Sequence, residues 1–106
     1  MKFKELIISI EGPLWRIHDL EIESTNFIDQ WDDSESSITL EDFPISSDEI
    51  IDVYIHLGAP NGTKYKVEIT GVLDNGDEIS YSGKFEVTRN GRLKILISKK
   101  IKELIK

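Results

Sequence analysis

Between Tyr65 and Leu73 the odd-numbered positions, Tyr65, Val67, Ile69, Gly71 and Leu73, are apolar or small, while Lys66, Glu68 and Thr70 alternate with them. A second run sets Ile79, Tyr81, Gly83, Phe85 and Val87 against Ser80, Ser82, Lys84 and Glu86. A period of two marks a strand with one dry and one wet side. The turn-forming stretch Asp74-Asn75-Gly76-Asp77-Glu78 between the runs predicts a hairpin. Directly opposed residues on antiparallel strands share a face, so its loop must hold an odd number of residues or a bulge. Leu93, Ile95 and Ile97 continue the alternation after Asn90 and Gly91. The same parity predicts a three-residue loop, Arg89-Asn90-Gly91, with Gly91 left-handed. It pairs Val87 with Leu93 and Phe85 with Ile95, placing three ribbons in one sheet.

Upstream, Ile51, Val53, Ile55 and Leu57 alternate with Asp52, Tyr54 and His56, and Pro60-Asn61-Gly62 turns the chain. Leu6, Ile8 and Ile10 start a first strand that Gly12-Pro13 ends. Trp15 and Ile17, then Leu20 and Ile22, predict a second strand whose phase breaks at His18-Asp19, where a bulge is expected. Phe27 to Trp31 reads as a short strand or an irregular crossing, and Ile38 and Leu40 mark a short strand before Glu41. Ser46 and Glu49 have the spacing of a capping box and predict one helical turn before Ile50. Ile97, Ile101, Leu104 and Ile105 share a helical face and predict a short terminal helix. About seven or eight strands with Gly, Pro and Asn at the turns predict an all-β fold, an antiparallel β-sandwich, immunoglobulin-like in general shape only. A small closed barrel is the alternative. With 106 residues the chain is the size of one domain, 1–106.

Composition narrows the chemistry. The absence of cysteine excludes disulfides and thiolate-ligated metals. The apolar run from Leu6 to Ile10 is bounded by Glu5 and Glu11, too short for a leader core or a membrane span. The expected setting is the cytoplasm, without a membrane partner, although a mature secreted domain would read the same way. Asn61-Gly62-Thr63 has the form of a glycosylation acceptor, and a turn accounts for it equally. Net charge is −7, but eight of the thirteen basic residues and only two of the twenty acidic ones lie in residues 84–106. That stretch therefore carries +6 and the remainder −13. The basic residues lack interleaved aromatics, so nucleic acid is not an expected partner.

No residue pattern points to catalysis. His18 and His56 are the two histidines, the side-chain type suited to moving protons near neutral pH, and neither sits in a nucleophile motif. The carboxylates from Asp29 to Asp52 lack the spacing of a calcium loop. No cofactor, metal ligand or catalytic residue is assigned. The expected function is a non-enzymatic protein–protein interaction module of adaptor, inhibitor or immunity type, its partner another protein or a second copy. The acidic stretch would steer a basic partner, with Trp31, Asp32, Asp33, Glu35 and Phe43 as the interaction surface. The alternative is a ligand-binding sandwich for carbohydrate, with Trp31 as a stacking platform, or for calcium.

Overall fold

The computed structural model describes residues 1–13, 16–88 and 90–106, with Arg16 described by its backbone. The expected sandwich forms from two four-stranded antiparallel sheets. The strands are β1 (Lys2–Glu11), β2 (Arg16–Ile22), β3 (Thr25–Asn26), β4 (Ser37–Pro44), β5 (Ile50–Gly58), β6 (Lys64–Leu73), β7 (Glu78–Glu86) and β8 (Arg92–Lys100). One sheet runs β4-β1-β6-β7 and the other β3-β2-β5-β8. A single helical turn, α1 (Ile101–Leu104), follows β8. Leu6, Ile8, Val67 and Ile69 of the first sheet and Leu20, Val53, Ile55 and Ile95 of the second are buried in a common core. The two inner faces are thus the apolar positions of the period-two runs.

Alternation identified faces correctly, but it did not identify neighbours. β7 and β8 do not pair: β7 lies against β6, with Phe85 opposite Tyr65, and β8 lies against β5, with Ile95 opposite Ile55. Phe85 and Ile95 both face the interior, from opposite sheets. The crossing is fixed by backbone bonds on each side. The Val87 N–H bonds the Thr63 carbonyl at 3.0 Å, extending the β6 ladder. The Ala59 N–H then bonds the Gly91 carbonyl at 2.9 Å, and the Gly91 N–H donates to Asn61 Oδ1 at 3.0 Å. Gly91 is left-handed, φ 63°, and so is Asn90, φ 58°. A left-handed glycine fits a hairpin bulge and a change of sheet alike.

Other expectations resolve in detail. The β6–β7 loop has the required odd length: the Leu73 N–H bonds Asp77 O at 2.8 Å, enclosing Asp74, Asn75 and Gly76. The β2 bulge falls at His18, where the β2–β5 register shifts between Ile17 and Asp19. Trp15, expected in the second strand, and Arg89, expected in the last turn, lie outside the described residues. The helical turn expected before Ile50 is instead a β-turn, with the Glu49 N–H bonded to Ser46 O at 3.0 Å. Asp48 accepts from the Ile50 N–H and the Ser46 hydroxyl, so the would-be cap bonds locally rather than opening a helix. The strand at Ile38 is longer than expected because β1 continues to pair with it as far as Pro44. The segment from Phe27 to Trp31 is a crossing with one 3₁₀ turn, Ile28–Gln30. The terminal helix keeps only Ile101 and Leu104 on its inner side; Ile97 belongs to β8, and Ile105 bridges to Ile79 of β7.

At the end of β1 the backbone passes so close to Tyr65 that only glycine fits. A Cβ on Gly12, φ 143°, would lie 2.6 Å from the Tyr65 ring and 2.9 Å from the Lys64 carbonyl. The ring is held by its hydroxyl, which donates to Pro13 O at 2.6 Å. Gly76, φ 92°, needs the same freedom but faces open space. Gly12→Ala should therefore cost about 2 kcal/mol or more, combining strain with overpacking, and Gly76→Ala about 1 kcal/mol from strain alone. Urea unfolding of the two variants checks this; equal losses would mean the Tyr65 contact carries no weight.

Candidate functional site

The sandwich has two open sides. On one, β7 stands over β8, with Lys99 Nζ 6.0 Å from the Tyr81 ring centroid and α1 touching both strands. On the other, β4 faces the β2–β3 hairpin across a groove of about 540 Å³. Ile22, Phe27, Leu40, Phe43 and Ile45 form its apolar lining, and Glu23, Glu41 and Asp42 stand at its margin. Phe27 and Phe43 meet edge to face at 5.8 Å. That geometry favours their ring quadrupoles and holds both rings half-buried.

The backbone around this groove is strained. Glu23 and Ser24, φ 52° and 67°, are the two central residues of the turn that sets Ile22 opposite Thr25. Both positive angles make it a type I′ turn, which ordinarily takes Asn-Gly. Two bonds to Asp52 compensate: the Glu23 backbone N–H donates to Asp52 O at 2.9 Å, and the Glu23 side-chain Oε1 accepts from the Asp52 N–H at 3.0 Å. Asp42, φ 53°, kinks the last third of β4 and forms an ion pair with Lys2 at 3.1 Å. A kinked, acidic edge resists continuous pairing with another strand. Burial raises the Glu23 pKa, reinforced by the charges of Asp52 and Asp48 and opposed by the Asp52 N–H bond. The ionised carboxylate is therefore disfavoured where it stands.

The five sequence-predicted residues do not form one patch. Phe43 lines the groove. Trp31 to Glu35 lie at the opposite end of β4, about 20 Å away for six residues of extended chain. Trp31 packs half-buried against the core, with its indole N–H enclosed and without an acceptor. Asp32 organises the turn into β4: its carboxylate accepts from the Ser34 hydroxyl and the Ser34 and Glu35 N–H groups, and these bonds lower its pKa. Asp33 and Glu35 are exposed. Sequence reasoning missed Phe27 and the hairpin turn at Glu23 and Ser24. Nothing in Glu-Ser announces a type I′ turn.

The histidines form a second cluster, on the outer face of the other sheet. The bulge at His18 lays its ring over Gly58, where a Cβ would come within 3.2 Å of Nε2. Its ring centroid is 5.0 Å from that of His56. His56 is 14% exposed, its Nδ1 3.6 Å from Asp19 Oδ2 and its Nε2 enclosed without a partner. Lys94 lies opposite His56 on β8. Among the described residues no hydroxyl hydrogen-bonds to either ring, and no three His, Asp or Glu side chains converge as metal ligands. No helix among the described residues is long and apolar enough to cross a membrane. Compared with known proteins, the chain matches no family model, no curated protein and no solved structure.

Because its pKa is raised on folding, Glu23 holds more proton in the folded than in the unfolded state between the two values, and stability falls as pH rises through that window. Gln retains an oxygen for the Asp52 N–H. Glu23→Gln should melt like the parent near about pH 4 and at a higher temperature at neutral pH. Thermal unfolding across that range checks it; a variant less stable at neutral pH would show that the charge itself is needed. Asp32 and Asp48 act in the other direction: their lowered values contribute stability above the ordinary aspartate range that is lost on acidification.

Proposed function

We propose that this chain is a non-enzymatic protein-interaction module whose groove between β4 and the β2–β3 hairpin receives a basic, apolar-anchored segment of a partner. One observation carries the reading: an apolar trough lined by two contacting phenyl rings and bordered by carboxylates. Apolar side chains in a desolvated pocket supply most of the binding energy at interfaces, and surrounding charge supplies orientation and speed. The groove separates those tasks, with Phe27, Phe43 and Ile45 beneath and Glu23, Glu41 and Asp42 above.

Three features support this reading over a passive surface. Burial disfavours the ionised form of Glu23, and a lysine or arginine from a partner would favour it. Three of the six left-handed non-glycine residues among the described residues, Glu23, Ser24 and Asp42, stand at the rim, and strained residues are common at ligand clamps. The kinked β4 edge blocks indiscriminate strand addition, leaving the side-chain trough as the specific contact. This is the arrangement of an adaptor, inhibitor or immunity-type protein, in which recognition is the whole activity.

A peptide-display selection against the protein tests the proposal. Enriched peptides should carry one large apolar residue flanked by Lys or Arg. They should perturb the NMR signals of Phe27, Leu40 and Phe43, and bind at least about tenfold more weakly to Phe43→Ala, the loss of one anchor. Association should slow steeply between low salt and about 1 M, where screening is nearly complete. Acidic peptides, or perturbations confined to other faces, would overturn it.

A further inference from the structure

The most exposed large apolar side chain among the described residues is Leu96, at 73%. It stands in the outward phase of β8, between Lys94 and Ser98 and opposite the half-buried Tyr54. A leucine in a wet-phase position of a half-buried strand is a knob with nothing to cover it. Its strand is the last in its sheet and carries Arg92, Lys94, Lys99 and Lys100 with no acid. Across the molecule, β4 ends the other sheet on the opposite open side, with its apolar trough under a carboxylate rim. One molecule thus displays an apolar knob among cations and an apolar trough among anions.

We propose that the trough of one copy receives Leu96 and the basic β8 strand of a second copy, so that this chain associates head to tail with itself. The inference rests on the reading of the groove given above and names its occupant. The charge of each strand selects the orientation. Two β8 strands repel one another, as do two β4 margins, whereas β8 against the β4 margin places Lys94 among Glu23, Glu41 and Asp42. Lys94 can lay its alkyl stem beside Leu96 while its ammonium group reaches the rim. Knob and trough lie at opposite edges of the sandwich, so a single molecule cannot fill its own trough, and the two surfaces in contact differ. The contact is heterologous, and repetition yields a ring or an open row of copies.

Sedimentation velocity of the intact chain, from about 10 µM to about 1 mM, reads the association directly, because those concentrations bracket a contact of modest affinity. The average mass should rise with concentration at low salt and fall back toward the monomer near about 1 M salt. Leu96→Glu and Phe43→Glu should each remain monomeric, and an equimolar mixture of the two should form a heterodimer and nothing larger. The first variant keeps an intact trough and the second an intact knob, so only one contact per pair can form. Circular dichroism establishes that both variants fold. If Phe43→Glu does not fold, Asp42→Lys replaces it, and its mixture with Leu96→Glu should behave alike. A parent that stays monomeric at every concentration while basic peptides still bind the groove would overturn self-association and leave the interaction module standing. A parent that neither self-associates nor binds such peptides would overturn both. Self-association that survives Leu96→Glu would overturn the proposed contact.

Discussion

The constraint on which this fold depends is the shared interior of two sheets that each bury one face. Every long strand contributes alternate residues to a single apolar layer, and none of the described core positions is polar or charged. Such a layer is stable only when both sheets are present, since either alone would expose its dry face. The chain therefore changes sheets repeatedly, between β1 and β2, β3 and β4, β4 and β5, β5 and β6, and β7 and β8. The close-fitting positions described above lie at or beside these crossings: Gly12 under the Tyr65 ring, Asp48 organising the turn into β5, and Asn61 tied to Gly91.

The crossings also explain which parts of the architecture could be read from residues. Period two reports a face, and both sheets face the same interior, so Phe85 and Ile95 give the same signal whether they are neighbours or stand across the core. Parity located the odd loop at Asp74 to Gly76 and the bulge at His18, because these are local consequences of alternation. The partner of β8 was not legible, because pairing with β5 rests on contacts between residues some forty positions apart. The Ser46 turn misled for a related reason. The spacing of a capping box is satisfied equally by a side chain that bonds its own turn, and the β-branched residues beyond it had already committed the chain to a strand.

Less of the groove was visible. Phe43 could be singled out as an apolar residue among acids, but its companion Phe27 comes from a segment with no periodicity, and the two meet only because the hairpin at Glu23 folds back. Trp31 and the acids after it drew attention by composition, whereas the fold uses Trp31 for packing and Asp32 for a turn. Leu96 was legible in principle: it breaks the alternation of β8 by placing an apolar residue where Lys94 and Ser98 set a polar phase. That irregularity carries the information, because a strand that needs only one dry face gains nothing in the core from a second.

The pairing of β5 with β8 has a consequence for how the molecule is made. During synthesis β5 emerges well before its neighbour, while β6 and β7, joined by a short loop, can close into a hairpin as soon as both have left the ribosome. Until residues 92–100 appear, the nascent chain holds β5 with one backbone edge bare beside an unfinished interior. Vectorial folding of this domain is therefore expected to stall at a half-built second sheet, the interval in which a chaperone would find most to bind.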